Sequence, residues 1–393
     1  MYRYLRSLIV RSICIVSGLF LSTSCSEKDE PLPPVTADRT ILVYMAANNS
    51  LGYGYDSYDI NEMREAVQNG ALGDNNRLMI FRAPTDGSQT LYEMTENGEL
   101  TTVKVYDTAL TPIHSDRMLE VFTDAKTVAP ANDYGLILWS HSLGWTQEGI
   151  DDNGPGIMTL SWGNHLGKTM NITTLKRVLE ASPWSWIYFD CCFMGSVEVA
   201  YELSGVLPRM VASAAEVPLD GMPYQENLPL LFAKNADLEG AALNTFNYYN
   251  DLFGSNRTCT ISVYDLTKMD QLAQATVPLY QASQIVGPHD FPNLALETGS
   301  SPRYYDLGVY VHGLCTVNQL EDSGSSPQEK WEEAYRNVVV FERATPKLWN
   351  IIDLSRFTGM STFIPANAEQ QTYRNYHTLA WYKDVARWLY NKD

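Results

Sequence analysis

The stretch Trp184–Leu203, WSWIYFDCCFMGSVEVAYEL, constrains the chain most, because its pattern leaves few ways for the backbone to run. From Trp184 to Phe189 every residue but Ser185 is aromatic or β-branched, the composition of a strand covered on both faces. Gly195 and Ser196 interrupt the run, and Ser196 is placed to cap a helix carrying Val197, Ala200 and Tyr201 on one side. Asp190-Cys191-Cys192 therefore fall at a strand-to-helix turn. Strand alternation points Asp190 and Cys192 to one side and Cys191 to the other. A thiol close to the N–H groups that open a helix is favoured as thiolate.

Further buried runs precede and follow this one. Arg39–Met45, Arg77–Phe81, Tyr134–Trp139, Arg209–Ser213 and Thr258–Tyr264 read as strands, and Asn97-Gly98 marks a hairpin between Leu91–Met94 and Thr101–Tyr106. Between them lie helical patterns: one starting at Asp59 as candidate cap, one from Ser115 with Met118, Val121, Phe122 and Ala125 on one face, and one from Thr173. Strands alternating with helices imply an α/β fold, a mostly parallel sheet with helices on both faces. Chemistry in such sheets gathers at the carboxyl ends of strands. His141 and Asp190–Cys192 each stand just past a strand end. Gln147 to Met170 is long, Gly-rich and without period, as functional or mobile loops are. After residue 267 the alternation weakens, which suggests a peptidase-sized domain over 37–267 and a smaller C-terminal α+β domain over 268–393.

Residues 1–24 are a different kind of sequence. Arg3, Arg6 and Arg11 flank the apolar run Ile13–Leu21, and small residues lead to Cys25, the order of a secretory signal. A cysteine at that boundary resembles a bacterial lipoprotein cleavage site, with Cys25 as the lipidated residue. The acidic Ser26–Glu30 segment resembles the signal that sends such proteins to the cell surface. An outer-membrane lipoprotein is expected, with residues 25–36 as a flexible tether. The formal charge of -18 argues against nucleic acid and suits cationic ligands. Cys191, Cys192, Cys259 and Cys315 remain in the mature part, too few for a disulfide framework, and no Cys/His spacing fits zinc. No phosphate-binding loop, dinucleotide fingerprint or serine-hydrolase elbow occurs. Asp151-Asp152 and Glu332-Glu333 read as solvated faces; calcium there has no sequence support, and no cofactor is required. His165 and His312 read as structural.

Several blocks together resemble the clostripain family of cysteine peptidases, in the clan of caspases, legumains and gingipains. They are Val43–Asn49 (VYMAANN), Leu136–His141 (LILWSH), Phe189–Glu198 (FDCCFMGSVE), Ala212-Ser213 through Gly221–Tyr224, and Gly359–Pro365 (GMSTFIP). The resemblance implies a caspase-like fold and an endopeptidase. It implies His141 as the catalytic histidine, Cys192 as the nucleophile, and the backbone N–H groups of Ser142 and Cys192 as oxyanion donors. Asp190 would lie at the floor of a pocket for Arg or Lys, so protein or peptide substrates with basic residues are the expected partners, acted on by a monomer. Lys168, the lone Lys or Arg of the long loop, would be a self-processing site. Two residues depart from the family pattern: Ser142 where glycine follows the histidine, and Cys191 where alanine precedes the nucleophile. Ser142 could restrict the approach of substrate, which leaves open a catalytically weak relative that binds cationic peptides or processes a single partner. A hydrolase using Ser140 or Ser142 is a more distant alternative, since neither opens a helix.

Overall fold

The computed structural model describes residues 36–147, 150–151, 160–284, 295–298, 302–320, 326–365 and 375–390. All belong to one compact unit, Val35–Asp393. The signal segment, Cys25 and the tether up to residue 35 lie outside the described residues. Among the described residues no helix is long and apolar enough to cross a membrane.

β1 (Ala37–Ala46) leads through α1 (Tyr55–Gln68) to β2 (Asn76–Ala83), then to the hairpin of β3 (Gln89–Met94) and β4 (Leu100–Tyr106). α2 (Ser115–Val128) returns the chain to β5 (Ala131–Trp139). Four short strands follow: β6 (Ser142–Gln147), β7 (Ile150–Asp151), β8 (Leu160–His165) and β9 (Lys168–Met170). After α3 (Ile172–Ala181) come β10 (Trp186–Asp190), α4 (Val197–Leu203), β11 (Arg209–Ala212), α5 (Tyr224–Leu231), α6 (Leu238–Asn250), β12 (Thr260–Asp265) and α7 (Met269–Ala282). The last part holds β13 (Tyr304–Asp306), α8 (Leu307–Val317), α9 (Pro327–Val338), β14 (Val339–Ala344), the hairpin of β15 (Lys347–Leu348) and β16 (Ile352–Asp353), and β17 (Ser361–Phe363).

The central sheet has nine strands in the order β14-β12-β11-β10-β5-β1-β2-β3-β4. Five in the middle run parallel, and only β12 and β3 run against the rest. This is the mostly parallel α/β architecture expected from the alternation of elements. Strand parity divides the core in two: Leu42 and Tyr44 join one apolar cluster with α2, α3, α4 and α7, while Ile41 and Val43 join the other with α1, α5 and α6. Both faces are therefore covered by helices, as the continuous apolar strands require.

Three expectations need correction. Residues 268–393 are not a separate domain. β14 pairs with β12 as the outermost strand of the same sheet, Ser361 bridges to Ser196, and one apolar cluster runs from Leu42 to Leu389. Gln147 to Met170 is not an aperiodic loop over its described residues, because β6, β8, β9 and β7 build a four-stranded sheet of their own. Asp59 does not cap α1. That helix starts earlier, at Tyr55 after Gly54, and Asp59 is buried within it. The Ser196 cap does form, its hydroxyl accepting from the Val199 N–H at 3.3 Å.

The register decides where chemistry is placed. In the β5–β10 pair, Trp139 stands opposite Asp190. His141 and Cys192, each two residues further on, thus leave the sheet side by side at the same level.

Candidate active site

β10 ends at Asp190, and the chain turns sharply before α4. Phe193 takes φ +60, a left-handed conformation uncommon for a bulky residue. The turn is pinned by Phe193 N–H to the Ala215 carbonyl at 2.9 Å and Gly195 N–H to the Ser213 carbonyl at 2.7 Å. The Phe193 ring stacks on Tyr304, with centroids 5.1 Å apart. Tyr304 donates to the Leu143 carbonyl at 2.8 Å and accepts from the Trp145 N–H at 3.0 Å, which ties the segment after His141 to the turn before α4. Gly144 in that segment has φ +61, and a Cβ there would come within 2.1 Å of the Tyr304 hydroxyl.

Cys192 lies in this turn, four residues before the cap, not at the first N–H groups of α4. The expected helix-favoured thiolate is therefore not what the structure holds. Part of the residue stays open to the cleft, yet burial pushes its thiol up to about 11. The Val217 N–H donates to Sγ at 3.3 Å, a contact that favours the anion once it forms. Cys191 is buried in the apolar cluster against which Cys192 also packs, and it lines the same cleft as Asp190 and Cys192, so the expected alternation does not carry past the strand end; both cysteines are free thiols.

His141 is half-buried, and burial pushes its imidazole below the usual histidine range. At neutral pH the pair is thus thiol and neutral imidazole. Nε2 of His141 is 2.8 Å from Ser50 Oγ. When Nε2–H donates to Ser50, Nδ1 is left bare as a base. Ser50 is held in place by Asn49. The Asn49 Oδ1 accepts from Leu51 N–H at 2.9 Å, and its amide donates to the carbonyls of Ala46 and Asn164, both at 2.9 Å. Ser140 Oγ donates to the Ala46 carbonyl at 2.8 Å and is buried, which occupies it in structure.

His141, Cys192, Asp190, Trp139, Val217 and Leu219 line one cleft. Asp190 lies between this cleft and a second pocket lined by Glu216, Tyr249 and Thr260. Its Oδ1 accepts from the Met222 N–H at 3.1 Å and its Oδ2 from the Tyr224 hydroxyl at 2.9 Å. Gly221, at φ +62, lets the backbone pass close, since a Cβ there would come within 2.8 Å of Oδ2. Burial pushes the Asp190 carboxyl up to about 6, against the lowering effect of those two donors. Behind it, Asp59 Oδ2 accepts from the Trp139 indole N–H at 2.6 Å. Burial, then the charge of Asp190, pushes Asp59 up to about 10. Two adjacent buried carboxyls cannot both ionise cheaply, and Asp59 is the one that stays neutral.

The Ser142 side chain turns away from the cleft. Its hydroxyl donates to Met194 Sδ at 3.1 Å and accepts from the Gly144 N–H at 3.1 Å, so it does not obstruct the cleft as expected. Lys168 opens β9, paired with His165 on one side and Ile150 on the other. His165 lies in β8, His312 on α8 meets Glu332 at 3.2 Å, and Asp152 falls outside the described residues. The sequence points to no site role for Ser50, Asp59 or Val217. Ser50 directly follows the Asn48-Asn49 block, which was the available signal. Val217 falls inside the 212–224 block, but nothing local singles it out.

Residues 43–389 match the profile of the clostripain family, Peptidase_C11. A secreted C11 cysteine protease from Bacteroides thetaiotaomicron, solved with an irreversible peptide inhibitor, is similar over 88% of this chain and 99% of its own, at 27% identity and a TM-score of 0.73. An inactive zymogen C11 protease from Parabacteroides distasonis is similar over 90% of this chain and 99% of its own, at 25% identity and a TM-score of 0.73. A further secreted C11 structure from Bacteroides thetaiotaomicron shares the fold over 90% of this chain and 100% of its own, at 24% identity and a TM-score of 0.77. The caspase-like architecture is common to all of them. A search of curated proteins gave no match.

Proposed function

Because this chain belongs to the clostripain family of cysteine peptidases, we propose that it cleaves polypeptides internally after basic residues, Arg before Lys, through Cys192 and His141. The observation that carries this reading is the common cleft: side chains from two paired strand ends open over a buried carboxylate. A guanidinium matches a carboxylate with two parallel hydrogen bonds, which favours Arg over Lys. The Cys192 thiol passes its proton to His141 as sulfur attacks the scissile carbonyl carbon. The resulting oxyanion is held by the backbone N–H groups of Ser142 and Cys192, each donor worth about 10²–10³ in rate. The imidazolium then protonates the leaving amine, and water hydrolyses the thioester.

The test uses an Arg-ended fluorogenic peptide with residues 36–393. Turnover lost in Cys192→Ala and kept in Cys191→Ala is expected; turnover kept in Cys192→Ala refutes the reading. The protonated resting thiol favours one second reading, a protein that binds cationic peptides with little turnover. Peptide binding without hydrolysis, abolished in Asp190→Ala, would establish it. Self-processing after Lys168 requires β9 to leave its sheet, since its backbone is paired on both sides. A Lys168→Ala protein giving the same fragments removes that site. Envelope anchoring through Cys25 predicts that Cys25→Ser releases the protein from the membrane fraction, and no change on that substitution excludes it.

A further inference from the structure

Beside the cleft the structure has a further hollow of about 250 Å³, with Tyr55, Leu219, Asp220, Tyr249, Leu252 and Trp349 in its lining. It borders the candidate site. Leu219 and its neighbour Pro218 also line the cleft of His141 and Cys192, while Tyr249 also lines the pocket over Asp190.

One wall is built against the backbone's own preference. Trp349 and Asn350 stand consecutively at φ +51 and +59; asparagine tolerates that region, but a bulky residue such as Trp349 avoids it. The hairpin tip closes with Ile351 N–H to the Leu348 carbonyl at 2.9 Å. Strain of this kind persists only where the surroundings impose it. Here the Trp349 indole N–H donates to the Glu216 carboxylate, and its backbone N–H donates to Thr258 Oγ1 at 2.9 Å. The ring also packs against a small apolar cluster containing Leu348 and Leu354. Glu216 in turn lines the pocket over Asp190. The aromatic wall is thus fixed to the loop that shapes the cleft. An apolar surface already set in position loses little conformational freedom on binding.

We infer that this hollow is a second substrate subsite, which takes a large apolar or aromatic side chain from the same peptide whose basic residue lies over Asp190. The inference rests on the peptidase reading above. An extended peptide that follows the shared wall of Pro218 and Leu219 reaches both places. A side chain leaving water for the surface formed by Tyr55, Leu252 and Trp349 gains in proportion to the apolar area it covers. Asp220 at the same place repels an acidic residue, so the site selects against one as well as for the other.

The experiment uses internally quenched peptides with one Arg. Phe, Gly or Asp is placed in turn at each of four positions on either side. At one position Phe should raise kcat/KM about ten- to a hundredfold over Gly, with Asp lower still. Leu252→Asp should collapse the Phe-to-Gly ratio to near one, and Trp349→Ala should lower it. The ratio is internal to each protein, so a general loss of activity does not mimic the effect. The same peptides, labelled, are also titrated into Cys192→Ala protein by fluorescence anisotropy. There Phe should tighten Kd over Gly by a similar factor. Cleavage at Arg with no position preferring Phe overturns the subsite and leaves the peptidase standing. Absence of any cleavage overturns the peptidase reading, and the subsite is then decided by the titration, where equal Kd for Phe and Gly peptides overturns it too.

Discussion

If the charge on Asp190 is what holds an Arg side chain, the preference for Arg must titrate with that carboxyl. An ordinary aspartate ionises near pH 4. Burial disfavours the charged form of Asp190 and pushes it up to about 6, so its negative charge is lost as pH falls through about 6 rather than about 4. About nine-tenths of the free enzyme carries the charge at pH 7 and about one-tenth at pH 5, by simple one-site titration. The perturbation is therefore a change of pH, read as the ratio of kcat/KM for an Arg peptide to that for the citrulline peptide of equal shape and no charge. Titration of His141 or Cys192 affects both peptides alike and cancels in the ratio. The ratio should fall about tenfold between pH 7 and pH 5. The matching limb in kcat should lie at lower pH, since bound guanidinium stabilises the carboxylate. In Asp190→Asn the ratio should be flat, with Arg-peptide kcat/KM down by roughly 2–5 kcal/mol, the cost of removing one partner of a buried charged pair. A wild-type ratio that stays level from pH 7.5 to 4.5, or a ratio unaffected by Asp190→Asn, refutes the assignment of Asp190.

Asp59→Asn should match wild type in activity, because the amide keeps an acceptor for the Trp139 indole and resembles a carboxyl held neutral. The folded state keeps the Asp59 proton to higher pH than the unfolded chain does, so wild-type stability falls relative to the variant as pH rises above about 4, by up to about 1.4 kcal/mol per pH unit. Unfolding of both proteins at pH 5 and pH 8 measures the change; a gap that does not widen with pH contradicts it. Ser50→Ala should lower kcat about two- to tenfold with little change in KM, the worth of one hydrogen bond that orients His141; an unchanged kcat discounts Ser50. Ser142→Gly should not raise kcat/KM, because the hydroxyl is spent on Met194 and Gly144, and thermal unfolding should show a loss of stability instead. A clear gain in activity would mean that Ser142 does restrict the cleft.

What could be read from the sequence was what local periodicity decides. The apolar run before Asp190 and the run ending at Trp139 had to be central strands, and a parallel sheet places whatever follows two such strands on one rim. That brought His141 and Cys192 together without coordinates. Three things escaped because they depend on partners far along the chain. The short strands β8 and β9 carry little pattern of their own and become strands only by pairing with β6 and β7. β14 looked like part of another domain because its partner, β12, lies some way back in the chain and runs antiparallel to it. Asp59 looked like a cap, since an acidic residue before an apolar stretch usually is one. In the fold, the helix begins a turn earlier and aims that carboxyl at Trp139. The same distinction explains the thiol. Its position follows from the strand and the turn, but its protonation follows from the site that closes around it. The segment around Val217 supplies the N–H that would hold the anion, while burial of the site as a whole pushes the thiol up. A substrate that settles against Pro218 and Leu219 would therefore press on the segment whose N–H contacts the Cys192 sulfur.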